Sequence, residues 1–457
     1  MNQQALLSVI DLDTQVQVPG SSCNLNRAAS GDRYPPYLPT QGLLFNTPWG
    51  MAIAPGGTAG YILSAGSNLA VRATLDATGN VTVAGHVSPY QSSNGIIRVA
   101  VGKNPRAIVF EPRGRFAYVH NHIGRTVSVI DLLTDQITDT AQAADPPVTG
   151  SLEASIVHGE ELFNTSIGTS TQDGSTGRMS ESGWASCFGC HPFGWTDTAV
   201  WSFPSGPRKS IPLFTTVSRS DPGDHRMMTW SAICDEVADF EQKIRTVCST
   251  VSTTETAPRQ GLMVGIPGSD IQPFVPKANT NRSTDWDDLE NYLRRGVRAP
   301  ISPLRGSVDP DIPLGNQLFA KAGCNTCHGG SKWTVSRRIY TPPPYLGPSS
   351  TMTLSSQGEF IEALRPVDTF FALERTATNR VALGANGFNP PSLLGAWAFP
   401  PYFHNGQATT LEEVLIRPVV GAAQHKDAGV PGQLESEVDR ARLIRFLESI
   451  DDATPTY

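Results

Sequence analysis

The sequence predicts a multidomain chain: an N-terminal all-β part that reads as an incomplete propeller, residues 1–148, followed by two mainly α-helical domains, residues 149–303 and 304–457. Three observations carry this. A 57-residue repeat of turn and strand residues runs through the first third of the chain. The pattern Cys-x-x-Cys-His occurs at residues 187–191 and again at 324–328. Each copy is preceded by Gly-x-x-Leu-Phe and followed, near the end of its domain, by an amphipathic stretch. At 457 residues the chain is too long for one compact core, and one domain per roughly 100–200 residues gives about three.

In the N-terminal part, Pro48, Pro55, Gly57 and Tyr61 recur as Pro105, Pro112, Gly114 and Tyr118, each displaced by 57, and Ser8-Val9-Ile10-Asp11-Leu12 recurs as Ser128-Val129-Ile130-Asp131-Leu132, displaced by 120. Residues 106–110, 116–119 and 126–130 are β-branched and aromatic runs separated by Pro/Gly turns, the pattern of a meander of short strands. One such unit is a propeller blade. The tract Tyr118-Val119-His120-Asn121 with residues 126–131 resembles the YVTN-type β-propeller repeat. Closure takes roughly four to eight blades, and about two complete units follow the opening strand. The expectation is a truncated propeller, with a small open sheet as the alternative.

Asp145-Pro146-Pro147 marks the next boundary. Gly159-Glu160-Glu161-Leu162-Phe163 and Gly315-Asn316-Gln317-Leu318-Phe319 then supply the first helix of each helical domain, His158 preceding the first of them, and a Ser/Thr/Gly-rich insertion at about residues 164–182 reads as a surface loop. Leu289, Tyr292 and Leu293 in one domain, and Val438, Leu443, Phe446, Leu447 and Ile450 in the other, form the apolar stripe of a closing helix. Residues 299–303, rich in proline, are the linker. A further helix is expected from Ser231 to Val247, because Trp230, Ile233, Val237, Phe240 and Ile244 step by three and four. Along it Cys234 and Cys248 stand about 21 Å apart, beyond disulfide reach.

The thiols of C-x-x-C-H can add across the two vinyl groups of a haem while the histidine that follows reaches the iron from one face. Cys187, Cys190 and His191, and Cys324, Cys327 and His328, therefore read as two sites for covalently bound haem c, with His191 and His328 as iron ligands. The cysteine spacing also suits a four-cysteine zinc site, but the pairs are 137 residues apart and both carry the extra histidine.

Thirty-five basic against 42 acidic residues give a net charge of −7 without any Lys/Arg run, which argues against nucleic acid and anionic membrane surfaces as partners. No apolar run reaches the roughly 18–20 residues of a membrane span. Covalent haem is attached outside the cytoplasm, so the expected location is periplasmic or extracellular. No basic n-region precedes the apolar run Ala5–Ile10, and the expectation is that the natural precursor begins upstream.

Pro391-Ser392-Leu393, Pro401-Tyr402-Phe403-His404-Asn405-Gly406 and Thr410-Leu411-Glu412-Glu413-Val414, together with the two haem motifs, resemble the bacterial dihaem cytochrome c peroxidases and their relatives that mature methylamine dehydrogenase. The likeness runs from about residue 150 to the C-terminus. It implies two cytochrome c domains, one haem that reacts with peroxide and a second that stores or relays an electron. It also implies hydrogen peroxide or another small oxidant, and a small redox protein or other electron donor, as partners. The expected function is peroxidase-like reduction of hydrogen peroxide; a non-catalytic electron-transfer cytochrome and an oxidase of a protein or organic substrate are the alternatives. Trp230, 39 residues after His191, resembles the tryptophan that the family places between its haems, and plain core packing is its other reading. Peroxide cleavage needs a group that moves a proton from the proximal to the distal oxygen. Of Asp235, Glu236, Asp239 and Glu241, Glu236 borders the apolar stripe and is the first choice for that catalytic role.

The sequence also departs from the family. Pro207 stands sixteen residues after the first motif, where a histidine is usual, and Pro418 stands fourteen residues after His404, where a methionine is usual. The sixth ligand of the second haem must then come from elsewhere or be absent; the candidates are His425, His404 and Met352, with His425 preferred. His225, Met227 and Met228 lie close enough in sequence to Trp230 to fold over the first iron. For the family's calcium site Pro401 matches, whereas Phe399 stands where a threonine is usual.

Overall fold

The structure is a computed structural model that describes residues 5–26, 28, 44–83, 95–169, 176–178, 183, 185–219, 221, 223–240, 285–338, 353, 355–356, 358–367, 372–417 and 424–457. Of these, the residues up to Gly189 together with 285–292 form one compact unit, and residues 190–240 with 293–457 form another.

The first unit contains two antiparallel meanders. One is built on Pro48–Ile53, Ala59–Ser64 and Leu69–Leu75, with Val81–Thr82 and Arg98–Ala100 pairing the last of these; the other runs Pro105–Phe110, Phe116–Asn121, Thr126–Asp131 and Gln136–Gln142 in chain order. The first two strands of the second sheet begin and end 57 residues after those of the first, and the third begins 57 after its counterpart. The repeat seen in the sequence is thus a repeat of strands. Its turns recur too: the left-handed residues Thr47, Gly57 and Asn68 have counterparts in Asn104, Gly114 and Arg125. Gly57 and Gly114, with φ of 77° and 74°, sit where a side chain would be strained. Tyr61, Leu63, Ala70, Ala117, Val119 and Ile130 from both sheets pack into one buried cluster, as alternation along a half-buried strand requires. Among the described residues the two sheets do not close into a propeller.

Both Gly-x-x-Leu-Phe motifs lie on helices, and both glycines mark a helix crossing. The helix Leu152–Asn164, capped by the Ser151 side chain, packs on Asp285–Arg295; a Cβ on Gly159 would stand 2.0 Å from the Asp288 carbonyl oxygen. In the second unit Asp311–Lys321 packs on Glu437–Ser449, where a Cβ on Gly315 would stand 2.1 Å from the Arg442 carbonyl oxygen. The phenylalanine four residues on then meets the partner helix: Phe163 lies 5.3 Å from Tyr292 and Phe319 5.5 Å from Phe446. Leu289, Tyr292, Leu293, Leu443, Phe446, Leu447 and Ile450 are buried as their spacing predicts. Val438 is not: it is 59% exposed in the first turn of its helix, on the solvent side of the stripe. The first helix also starts earlier than expected, so that His158 lies within it.

The helix expected from Ser231 to Val247 does not form over its described part. Thr229 (φ 68°) and Ala232 (φ 47°) are left-handed, and the backbone groups nearby are claimed by other segments: Met228 N–H donates to the Cys234 carbonyl at 2.7 Å, and Phe360 N–H to that of Ala232 at 3.0 Å. The carboxylate of Asp239 accepts from the N–H groups of Asp235 and Glu236 at 3.0 and 3.1 Å, leaving a 3-10 turn at Val237–Asp239. Short acidic side chains that bond nearby N–H groups compete with helix in this way. The 21 Å separation of Cys234 and Cys248 rested on that helix; Cys248 and residues 241–247 lie outside the described residues.

Candidate functional site

The second Cys-x-x-Cys-His motif folds as one helical turn, Asn325–His328, in which His328 N–H donates to the Cys324 carbonyl at 2.9 Å. Three- and four-residue spacing on a helix brings Cys324, Cys327 and His328 to one face, and all three line a single cavity that encloses about 1560 Å³, its open mouth included. His328 Nδ1 lies 3.0 Å from the Pro391 carbonyl. A carbonyl only accepts, so Nδ1 carries the proton and Nε2 keeps the lone pair that can bind a metal. Burial, reinforced by the neighbouring His425, pushes the His328 pKa down to about 3, which keeps the ring neutral. The Cys324 thiol is pushed up to about 12 by burial.

His425, on the short turn His425–Asp427, lines the same cavity, and its ring lies 6.1 Å from that of His328 at an interplanar angle of 27°. Two imidazole nitrogens each about 2.0 Å from one metal, with each ring centre about 1.1 Å behind its nitrogen, give roughly 6.2 Å between centres. The spacing therefore fits one iron between the rings, and Cys324 and Cys327 line the same cavity, where they could take a covalently bound haem. His404, another candidate ligand, is engaged elsewhere: its Nε2 lies 2.8 Å from Glu374 Oε1, which also accepts from Asn405 Nδ2 at 2.6 Å. Its ring stacks on Phe388 at 3.8 Å. The Arg208 guanidinium stands 5.3 Å from the Phe388 ring and 3.6 Å from Glu374 Oε2. Burial acts to raise the Glu374 pKa, but His404, Asn405 and Arg208 outweigh it and hold the carboxyl below its usual range. Met352 lies outside the described residues.

Trp230 lines the cavity beside this network. Its indole Nε1 donates to the Lys209 carbonyl at 2.8 Å, and its ring meets that of His404 edge-on at 6.2 Å. Glu236 is placed differently: its Oε1 lies 3.3 Å from Arg338 Nη1, its side chain caps the 3-10 turn, and it does not line the cavity. His225 is buried with Arg294 Nη2 3.3 Å from its Nε2, while Met227 is packed with Ala232, Phe360 and Leu364 in the second unit's core. At the two positions compared for the calcium expectation the backbone carbonyls are already engaged, since Lys209 Nζ donates to Phe399 O and, at 2.7 Å, to Pro401 O. Calcium needs 6–8 oxygen ligands, and a cation already in place does not leave them.

The first motif straddles the division between the two units. It too is one helical turn, Cys187–Cys190, and His191 repeats the arrangement of His328: its Nδ1 faces the Trp195 carbonyl at 3.3 Å, and burial lowers its pKa. Pro207 lies on the strand Gly206–Lys209. Among the described residues, the cluster with metal-ligand spacing is His158, Asp285 and Asp288, and no cysteine belongs to it, so the four-cysteine zinc alternative gains no support.

Glu374, Arg208, Phe388 and Lys209 were not singled out from sequence. No motif marks them; Lys209 and Phe388 line the cavity, and Glu374 and Arg208 stand behind His404 and Phe388, only because segments far apart in the chain converge there. Pro391 was visible as part of a motif; its carbonyl's role was not.

Fold and site together describe a β-rich unit joined to helical structure with two Cys-x-x-Cys-His turns, one of them opening on a cavity lined by three histidines, of which His328 and His425 lie 6.1 Å apart. No family model and no curated protein matches the chain. Among solved structures it is similar to a MauG-like protein associated with microbial copper homeostasis, at 18% identity over 67% of this chain and 92% of that one, with a TM-score of 0.38. It is also similar to Kuenenia stuttgartiensis hydrazine synthase pressurised with xenon, at 16% identity over 67% and 89%, TM-score 0.37. The periplasmic gluconolactonase of Pseudomonas aeruginosa is similar at 14% identity over 32% and 37%, TM-score 0.23. The function is read from the chain's own residues.

Proposed function

We propose that the chain is a dihaem c-type oxidoreductase, exported to the periplasm or cell exterior, that reduces hydrogen peroxide with electrons from a small redox protein. The observation that carries this is His328 facing His425 at 6.1 Å across the cavity that Cys324 and Cys327 line. Haem, when bound, supplies a reversible one-electron centre and, where a coordination position is open, a place for peroxide. His328 and His425 would hold the second haem, and with both imidazoles engaged that haem would serve electron storage or relay. Cys187, Cys190 and His191 would hold the first haem, and because Pro207 stands where the resemblance implies a histidine, that haem would be the one to take peroxide. Trp230, fixed through its indole N–H and set against His404, lies on the electron route; Glu236 moves the peroxide proton, with Arg338 holding it in place.

The preparation should contain two haems per chain that survive acid-acetone extraction and give a c-type pyridine haemochrome spectrum; extractable haem, or zinc in its place, would sink the proposal. The oxidised protein should show one high-spin and one low-spin centre, bind cyanide quickly and turn over peroxide. Trp230→Phe should slow electron delivery, and Glu236→Gln should slow the peroxide step by about 10²-fold or more. If both haems are low-spin and six-coordinate in every redox state and peroxide only bleaches them, the chain is an electron-transfer cytochrome, a reading that the closed His328/His425 pair favours for the second site.

A further inference from the structure

The side chain of Lys209 ends in an unusual place. A lysine normally buries its stem and keeps its ammonium in water, yet Lys209 is 7% exposed and its Nζ donates to the carbonyls of Phe399 and, at 2.7 Å, of Pro401. Its backbone is tied down on both sides. The Lys209 N–H donates to the His404 carbonyl at 2.6 Å, and its carbonyl accepts from Trp230 Nε1 at 2.8 Å. One residue thus holds the turn at 399–401, the backbone of His404 and the indole of Trp230, and Phe399, His404 and Trp230 all line the cavity.

Two carbonyls converging on one buried point need a hydrogen-bond donor or a cation between them, because an unpaired buried carbonyl costs free energy, and here the Lys209 ammonium supplies it. A divalent ion or an ammonium can fill that point, but not both, since like charges repel. Burial lowers the Lys209 pKa to about 8, opposed by the charge of Asp197, so the ammonium is the form present at neutral pH. Asp197 is itself fixed by Ser210 Oγ at 2.5 Å and Trp201 Nε1 at 2.8 Å.

We propose that the Lys209 ammonium is a built-in cation that holds the 399–404 wall of the cavity where related chains are expected to use a bound calcium ion, and that this chain takes up no calcium there. Lys209 is a positioning residue: it acts on Trp230 and His404 through the backbone.

The test uses the full chain with its haem. Protein dialysed against EGTA and returned to about 1 mM calcium should contain no bound calcium by elemental analysis, and its Tm should move by less than about 1 °C. Lys209→Met, which keeps the stem and removes the charge, should lower the Tm by about 5 °C, because two buried carbonyls lose their donor. One calcium per wild-type chain together with a calcium-dependent rise in Tm would overturn the proposal, and so would a Lys209→Met protein as stable as the wild type. If that variant does not fold, the wild-type calcium measurement alone decides. None of these readouts depends on peroxide turnover, so their failure is distinct from failure of the peroxidase reading.

Discussion

Replacing His425 by alanine tests the site at its centre. The ring of His425 is 6.1 Å from that of His328, so its removal takes away the far-side nitrogen and nothing described is placed to replace it. His404, which lines the same cavity, is committed to Glu374 at 2.8 Å and stacked on Phe388 at 3.8 Å. One haem of the two should therefore lose its sixth ligand, and the high-spin fraction of the oxidised protein should rise by about one half of the total haem. The fold should survive, since His425 sits on a three-residue turn at the cavity wall rather than in a helix crossing; a cost of about 1–3 kcal/mol is the ordinary range for such a change. Electron paramagnetic resonance of the oxidised protein measures the fraction directly, and added imidazole should restore the low-spin signal. A spectrum unchanged from wild type, or a methionine-to-iron charge-transfer band in the oxidised wild type, would refute the reasoning.

Three other expectations follow from the coordinates. Gly315→Ala places a methyl 2.1 Å from the Arg442 carbonyl oxygen, and Gly159→Ala one 2.0 Å from that of Asp288; overpacking should cost about 1–3 kcal/mol or more in urea unfolding, beyond the roughly 1 kcal/mol that alanine returns in helix propensity. Variants as stable as wild type would mean that the helices are not in this close contact. Asp235 supplies the third expectation. Burial, then the neighbouring Asp239 and Glu236, push its carboxyl far above the usual range. The folded state then holds a proton that the unfolded chain releases near pH 4, so this contribution is full below about pH 4 and is lost as pH rises, by up to about 1.4 kcal/mol per unit. Asp235→Asn should flatten that fall in unfolding free energy between pH 5 and 8, a range that lies within the window; an unchanged slope would count against a protonated Asp235.

What could be read in advance was what is local or periodic. The strands at 48–64 recur at 105–121 because the turns of each meander need the same left-handed residues at the same spacing, and glycine at 57 and 114 announces that need. The helix pairs were legible because Gly159 with Phe163, and Gly315 with Phe319, sit one turn apart on a face that a partner helix must approach closely. The helix expected after Trp230 shows the opposite. Its period of three and four is real, but the carboxylates of Glu236 and Asp239 cap and bend the chain locally, and Phe360 and Asn389 take backbone hydrogen bonds at Ala232 and Trp230 that a helix would have kept for itself.

The sequence by itself determined the two Cys-x-x-Cys-His turns, because Cys, Cys and His within five residues are brought to one face by a single helical turn whatever surrounds them. Tertiary structure alone decided what stands opposite and around. His425 is 97 residues from His328, Glu374 reaches His404 across 30 residues, and Lys209 meets Phe399 across 190. No periodicity links such positions, since the pairing energy of a ligand, an ion pair or a buried ammonium appears only once the chain has closed those loops.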